Sequence, residues 1–216
     1  MHRLYYSPGS CSLAPHIVLE EIGEPYEAEL VVATDGAMTR TERWRSINPK
    51  GRVPALTGVP GSIGGQPGLL TEAAAIVTYL ADTHPEAGLL PDDPARRARA
   101  AEWMNWLSGA VHAMAFGQIW RPERFTDDPS MHGAIKAKGM SSLADHVVYI
   151  DSLLGDGRDW AVPEGYSVVD PYLLVFWRWC GAVGADTSRC TAWADHARRV
   201  KERPAVRRAM AFCGIE

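Results

Sequence analysis

The fold of this chain is decided by residues 4–23, which read LYYSPGSCSLAPHIVLEEIG. The β-prone run that begins at residue 2 stops at Ser7-Pro8-Gly9. The apolar residues that follow, at positions 13, 17, 18 and 22, have helical spacing, and Gly23 is a residue type that ends helices. This stretch therefore predicts a short strand, a tight turn and a helix.

The remainder of the N-terminal part alternates between extended and helical patterns. Its predicted elements are strands at 26–33, 53–56 and 69–70, a turn or long hairpin loop in the glycine-rich stretch 58–68, and a helix at 71–81. The resulting order, β-α-β followed by β-β-α, predicts a small α+β domain.

The composition changes after the proline-bearing stretch that ends at residue 94. From Ala95 onward the pattern is helical and alanine-rich, Ser167-Val168-Val169-Asp170 reads as a capping box, and a final helix at 195–212 is interrupted by Pro204. We therefore predict an N-terminal domain at 1–84, a linker at 85–94 and an all-α domain at 95–216.

Charge and composition exclude several classes of function. The net charge of −4 argues against nucleic-acid binding, which usually needs a basic face. The longest strongly apolar run, Tyr172 to Trp177, is too short to cross a bilayer, and the first residues lack the apolar stretch of a signal peptide. The dispersed histidines and the absence of any HxxxH or Cys/His cluster in the sequence predict no metal site.

The four cysteines are widely spaced and form no CxxC pair. A chain of 216 residues can form a core without disulfides. We therefore expect reduced thiols and a cytoplasmic protein.

Cys11 is the candidate for thiol chemistry because it lies where the first helix begins. Unpaired N–H groups and the helix dipole stabilise a thiolate at such a position, which predicts a lowered pKa. The alternative is a small buried cysteine that only packs.

Val53-Pro54 supports a role for Cys11 in thiol chemistry, because a cis peptide there would turn the Val53 backbone outward toward a thiol peptide. The alternative is an ordinary trans loop proline.

Five segments together resemble bacterial beta-class glutathione S-transferases. They are residues 4–23, NPKGRVPAL at 48–56, LLTEAAAIVTYLAD at 69–82, Trp103-Met104-Asn105 followed seven residues later by His112, and YSVVDPYL at 166–173. They occur in the order of the family. The resemblance implies a thioredoxin-like N-terminal domain followed by an all-α helical domain.

The resemblance also implies roles for individual residues, with glutathione as co-substrate. It places Cys11, Tyr6 and His112 at the reacting sulfur. It assigns glutathione binding to Cys11, Arg52, Val53, Pro54, Glu72, Ala73, Asn105 and His112. A helix N-terminus favours a bound carboxylate, which suits Glu72 and Ala73. Seven-residue spacing puts Asn105 and His112 on one face of an α-helix, although a lone helical histidine can also be structural.

The chain departs from the family at several positions. The segment 32–37 has no lysine where the family often has one, Ala73 replaces a common serine, and Ala113 replaces a common lysine. The loop at 58–68 is also longer than usual. Each lost contact to a charged group is worth about 1.5–3 kcal/mol, so we expect weakened glutathione binding.

The predicted function is conjugation of the glutathione thiolate to small hydrophobic electrophiles, with thiol-transferase activity through Cys11. Phe116, Trp120 and Tyr166 are candidates for the electrophile pocket, the alternative being core aromatics. The resemblance further implies a homodimer. The competing hypothesis is a non-catalytic glutathione-binding or protein-interaction module with the same fold. A thioredoxin-type oxidoreductase is disfavoured because the second cysteine is missing.

Overall fold

The computed structural model describes residues 1–33, 38–63, 66–163 and 165–215. The chain divides into two compact units, one formed by residues 1–90 with 200–216 and the other by residues 91–199. Residues 200–216 therefore cluster with the first unit, although the sequence suggested that they belong to the helical domain. The domain limits near residues 84 and 95 stay a prediction.

The first unit is built on a mixed four-stranded sheet with the order β2-β1-β3-β4. Its strands are β1 (His2–Tyr6), β2 (Tyr26–Leu30), β3 (Ala55–Ile63) and β4 (Gln66–Thr71). β1 runs parallel to β2 and antiparallel to β3, and β3 pairs antiparallel with β4. The helices in residues 1–90 of this unit are α1 (Leu13–Ile22), α2 (Glu42–Ile47) and α3 (Ala73–Thr83). The predicted α+β arrangement is confirmed.

One face of the sheet carries a small core around Tyr5 and Trp44, whose ring centroids lie 5.1 Å apart. Trp44 belongs to α2, which the sequence analysis did not predict. This helix spans six residues and buries only Trp44, so it has no apolar periodicity. Its start is marked by Thr41, whose hydroxyl accepts from the Trp44 N–H at 3.2 Å.

The apolar positions of α1 and α3 are buried, and the C-terminal segment packs on α1. Arg203 donates to both carboxylate oxygens of Glu21, at 2.6 and 3.0 Å, and Arg208 donates to Glu20 at 2.6 Å. These contacts involve residues far apart in sequence. They explain why residues 200–216 belong to the first unit.

The predicted and observed limits of the helices and strands agree best at the N-terminus. β1 and α1 span the predicted residues, and Gly23 ends α1 with a φ of 79°. β2 is shorter than predicted. β3 and β4 extend through most of residues 58–68, which were expected to form a loop. Residues 64–65 of that stretch lie outside the described residues. The helix expected from residue 71 begins at Ala73.

The second unit is helical, as predicted. It contains α4 (Pro94–Trp106), which continues as a π-helix (Leu107–Phe116) and then as α5 (Gly117–Trp120), followed by α6 (His132–Leu154) and α7 (Val169–Val183). The predicted last helix is two helices, α8 (Thr191–Glu202) and α9 (Pro204–Phe212), because proline favours the first position of a new helix. In the described part of the chain, no helix has the length and apolar character that a bilayer crossing requires.

Asp170 organises the core of the second unit. Its bond to the Ser167 N–H is one half of the predicted capping box, while the Ser167 hydroxyl accepts from the Val169 N–H at 3.3 Å. The Asp170 carboxylate is fully buried and accepts from the Ser167 N–H at 2.7 Å and the Ala161 N–H at 2.8 Å. It also lies 2.8 Å from His196 Nε2. One side chain thus connects the start of α7, the preceding loop and α8.

We expect Asp170→Ala to lower the free energy of unfolding by about 3 kcal/mol or more, since it leaves buried N–H groups without an acceptor. Urea unfolding measures this, with the exposed Asp127→Ala as matched control. Asp170→Asn keeps one acceptor oxygen and should lose less. Equal midpoints for Asp170→Ala and Asp127→Ala would contradict this role for Asp170.

Candidate active site

Serine side chains shape the turn between β1 and α1. The Ser12 hydroxyl accepts from the Ser7 N–H at 3.0 Å and lies 3.1 Å from the Ser7 carbonyl. The Ser10 hydroxyl donates to the same carbonyl at 2.8 Å, and the Leu13 N–H donates to the Ser10 carbonyl at 3.2 Å. Because these bonds satisfy the polar groups of the turn, Cys11 is held in a defined position just before α1.

The Cys11 thiol is buried against the backbone of the proline loop. Its Sγ donates to the Val53 carbonyl at 3.6 Å. Burial raises the pKa of Cys11 to about 12, while a backbone hydrogen bond and Arg52 oppose this effect without overcoming it. The expected thiolate is therefore not found here. Cys11 is a neutral thiol because the cost of burying a charge exceeds the stabilisation from the start of α1.

The loop that carries Val53 is braced by the buried side chain of Asn48. Its amide donates to the Arg52 carbonyl at 2.7 Å and its Oδ1 accepts from the Lys50 N–H at 3.1 Å. Gly51 has a φ of 62°, and a Cβ there would lie 3.0 Å from a backbone oxygen, so glycine is required. The Val53–Pro54 peptide is cis. The NPKGRVP sequence thus forms one hydrogen-bonded turn beside Cys11.

Glu72 precedes α3 and has a φ of 72°, an uncommon value for a residue other than glycine. Its carboxylate accepts from Lys50 Nζ at 2.7 Å, and the same ammonium donates to the Thr71 hydroxyl at 2.8 Å. Ala73 is the first residue of α3. Lys50 was not among the residues predicted from the sequence; the signal for it was a cation inside the NPKGRVP segment.

Tyr6 lies at the end of β1, and its ring contacts His16 and Phe212 at centroid distances of 5.7 and 5.6 Å. Burial raises the pKa of Tyr6, so its phenol is neutral. Burial also lowers the pKa of His16 to about 4, and His16 Nδ1 lies 3.5 Å from the Cys213 sulfur. A direct role for Tyr6 at the reacting sulfur stays a prediction.

Asn105 and His112 belong to the second unit. The exposed Asn105 donates to the Ala101 carbonyl at 2.8 Å, and His112 Nδ1 lies 3.4 Å from the Tyr172 hydroxyl, with its ring against Trp179 at 4.9 Å. Seven-residue spacing puts two side chains on one face only in an α-helix. His112 lies in the π-helix, whose wider turns change the angle between side chains. Their roles stay predictions.

Two of the three candidates for an electrophile pocket come together. Phe116 and Trp120 stack at 5.1 Å, and both pack edge-on against Trp179. Phe116 is fully buried, which fits a core aromatic. The ring of Tyr166 contacts Trp160 at 5.1 Å. The assignment of these residues to an electrophile pocket stays a prediction.

Among the residues that the structure describes, no three His, Cys, Asp or Glu side chains are grouped so as to hold a metal ion. The four cysteines are free thiols, and all are buried.

Comparison with known proteins identifies the family. Residues 9–83 match the family model of the glutathione S-transferase N-terminal domain. The chain is 32% identical over 215 residues to glutathione S-transferase GstA of Escherichia coli O157:H7, a match that covers 99% of this chain and 100% of the relative. The chain belongs to the glutathione S-transferase family. The family resemblance predicted from the sequence is confirmed, and the enzyme class is that of a glutathione transferase, with glutathione as co-substrate.

Solved structures of glutathione transferases support the fold. A glutathione transferase homologue from Sulfitobacter, solved with bound glutathione, has a TM-score of 0.88 and 29% identity, covering 100% of this chain and 99% of its own. A bacterial beta-class glutathione S-transferase from Sphingomonas chungbukensis has a TM-score of 0.82 and 32% identity, covering 99% of this chain and 100% of its own. The thioredoxin-like fold of the N-terminal part is confirmed.

We expect Cys11 of the folded protein to react slowly with iodoacetamide, because its pKa is near 12 instead of 9. At neutral pH the rate should be at least roughly a hundredfold below that of the same cysteine in urea-unfolded protein, and it should keep rising above about pH 10. Mass spectrometry of the Cys11 peptide measures both rates. Labelling at pH 7 as fast as in the unfolded chain would contradict a neutral, buried thiol.

Proposed function

We propose that this glutathione transferase uses the first unit to bind glutathione beside Cys11 and conjugates its thiolate to small hydrophobic electrophiles. The observation that carries the proposal is the contact of the Cys11 thiol with the Val53 carbonyl. This contact brings a sulfur hydrogen-bond donor to the backbone of the proline loop, where the cysteinyl part of glutathione is expected to pair.

The residues around this contact suit the chemistry of glutathione. The peptide carries two carboxylates, an ammonium and a thiol, so its site needs cations, an acidic group and a donor for the sulfur. Glu72 supplies the acidic group next to the start of α3, and the exposed Arg52 supplies a cation in the proline loop. A carboxylate is stabilised near the N-terminus of a helix.

In this proposal Cys11 acts as a hydrogen-bond donor. When glutathione binds, the neutral S–H leaves the Val53 carbonyl and turns to the glutathione sulfur. This favours the thiolate form of glutathione, since a hydrogen bond to the charged form lowers a pKa. The thiolate then attacks the electrophile, and the protein contributes by holding the sulfur in place. Cys11 is suited to this role because burial keeps it protonated.

Thiol transfer is the second proposed activity. The Cys11 thiolate attacks the glutathionyl sulfur of a mixed disulfide RS–SG, forming Cys11–S–SG and releasing RS⁻. A glutathione thiolate then attacks the glutathionyl sulfur of Cys11–S–SG, releasing oxidised glutathione and the Cys11 thiolate. The raised pKa of Cys11 makes the first step slow at neutral pH, so we expect this activity to be the weaker one.

The proposal retains the remaining roles implied by family membership. Tyr6 and His112 are proposed to act at the reacting sulfur, and Asn105 and His112 to assist glutathione binding. The protein is proposed to act as a homodimer in the cytoplasm, a compartment that suits four free cysteines. Exposed apolar side chains on α6, Val148 and Tyr149, support a protein contact, since they are 68% and 54% exposed.

Two substitutions at Cys11 separate the two activities. We expect Cys11→Ala to abolish thiol transfer and to slow conjugation roughly tenfold below about pH 8, because the sulfur loses its donor. Cys11→Ser keeps a hydroxyl donor and should retain most conjugation while losing thiol transfer. The measurements are calorimetric titration of glutathione and pH–rate profiles with a model electrophile and a mixed disulfide.

The matched control is Cys190→Ala, a buried cysteine of the second unit, which should resemble the unchanged protein in both assays. An unchanged thiol-transfer rate in Cys11→Ala would refute the proposed disulfide step. Glutathione binding without turnover of any electrophile or disulfide would favour the non-catalytic module instead.

Sedimentation equilibrium tests the homodimer. We expect a mass twice that of the 23.6 kDa chain, and Tyr149→Glu should shift the equilibrium toward the monomer, because a charge is costly in an apolar interface. Asp127→Ala serves as a surface control. A monomeric mass for the unchanged protein at micromolar concentration would rule the dimer out.

A further inference from the structure

Lys50 lies in the proline-loop turn and contacts the start of α3, where the proposed glutathione site has its acidic group. Its Nζ donates to Glu72 at 2.7 Å and to the Thr71 hydroxyl at 2.8 Å. The ammonium and the carboxylate thus stand side by side at one end of α3.

The backbone around both charged residues is fixed. Asn48 accepts from the Lys50 N–H, and the positive φ of Gly51 completes that turn. Glu72 holds its own unusual backbone angle directly before α3. Each side chain therefore extends from a defined backbone conformation, and its end reaches solvent.

The ion pair between Lys50 and Glu72 contributes little to the stability of the fold. The side chains of Lys50 and Glu72 are 52% and 63% exposed, and ion pairs with such exposure contribute little to folding because water screens them. The same exposure leaves both charges open to a polar ligand that can replace their mutual contact.

The pair has the charge pattern that complements an α-amino acid. The γ-glutamyl end of glutathione carries an ammonium and a carboxylate on the same carbon. Glu72 can accept from the ammonium while Lys50 donates to the carboxylate, so that one internal ion pair is exchanged for two with the ligand. Ala73, the first residue of α3, offers no hydroxyl to that carboxylate, whereas Lys50 offers an ammonium beside Glu72.

We propose that Lys50 is a specificity-determining residue that binds the α-carboxylate of the γ-glutamyl group while Glu72 binds its ammonium. This inference rests on the proposed function. It deepens that function by assigning selection for a free α-amino-acid end to a residue outside the proposed thiol chemistry.

Calorimetric titration with two S-methylated peptides tests the proposal without any turnover. One is S-methylglutathione, and the other is its analogue with γ-aminobutyric acid in place of γ-glutamic acid, which lacks only the α-carboxylate. Titrations at about 1 M salt, where the screening length is roughly 3 Å, suppress long-range charge effects.

For the unchanged protein, we expect the analogue to bind roughly tenfold more weakly than S-methylglutathione. Lys50→Met should weaken S-methylglutathione roughly tenfold and leave the analogue unchanged, so that the discrimination disappears. Lys50→Arg should restore part of it. Lys138→Met, which removes an exposed lysine from α6, should behave like the unchanged protein.

Three results would overturn the role of Lys50 while the proposed function stands. They are an equal loss for both peptides in Lys50→Met, no change for either, or tighter binding of S-methylglutathione, which would mean that Lys50 only competes with the ligand ammonium for Glu72. If the unchanged protein binds neither peptide nor glutathione, the proposed function itself fails, and this inference fails with it.

Discussion

The buried serine hydroxyls at the turn between β1 and α1 are the constraint on which the rest of the site depends. Ser7 and Ser12 are 4% and 1% exposed, and their mutual hydrogen bonds satisfy polar groups that water cannot reach. The Ser7 hydroxyl also accepts from the Ala33 N–H at 3.1 Å, which ties the segment after β2 to the same turn. A buried hydrogen-bond network of this kind destabilises the fold if some of its polar groups lack partners. The turn, the sheet edge and the Cys11 sulfur are therefore positioned together.

The burial of this turn also determines the protonation state of Cys11. The start of a helix favours a thiolate, but only while the charge remains solvated or paired. Here Cys11 is 7% exposed, and its sulfur contacts a carbonyl oxygen, which accepts a hydrogen bond from a thiol and repels a thiolate. A neutral thiol follows from both effects. The proposed chemistry therefore assigns the nucleophile to glutathione and the supporting hydrogen bond to the protein.

The second unit is organised around a different kind of constraint. Asp170 is fully buried, and its hydrogen bonds join segments that are distant in sequence, so α7 is fixed at its first turn. The π-helix between α4 and α5 places His112 against aromatic rings of α7. π-Helical turns are rare and occur frequently at functional sites.

The sequence by itself determined the elements whose signals are local. β1, α1 and its glycine end, the capping box and the proline between α8 and α9 each depend on neighbouring residues. The family motifs likewise identified the proline loop and Glu72, because a motif depends on residue type and spacing. Tertiary structure decided the rest: the packing of residues 200–216 on α1, the burial that keeps Cys11 protonated and the pairing of Lys50 with Glu72. These depend on desolvation and on contacts between residues distant in the chain, which no local pattern encodes.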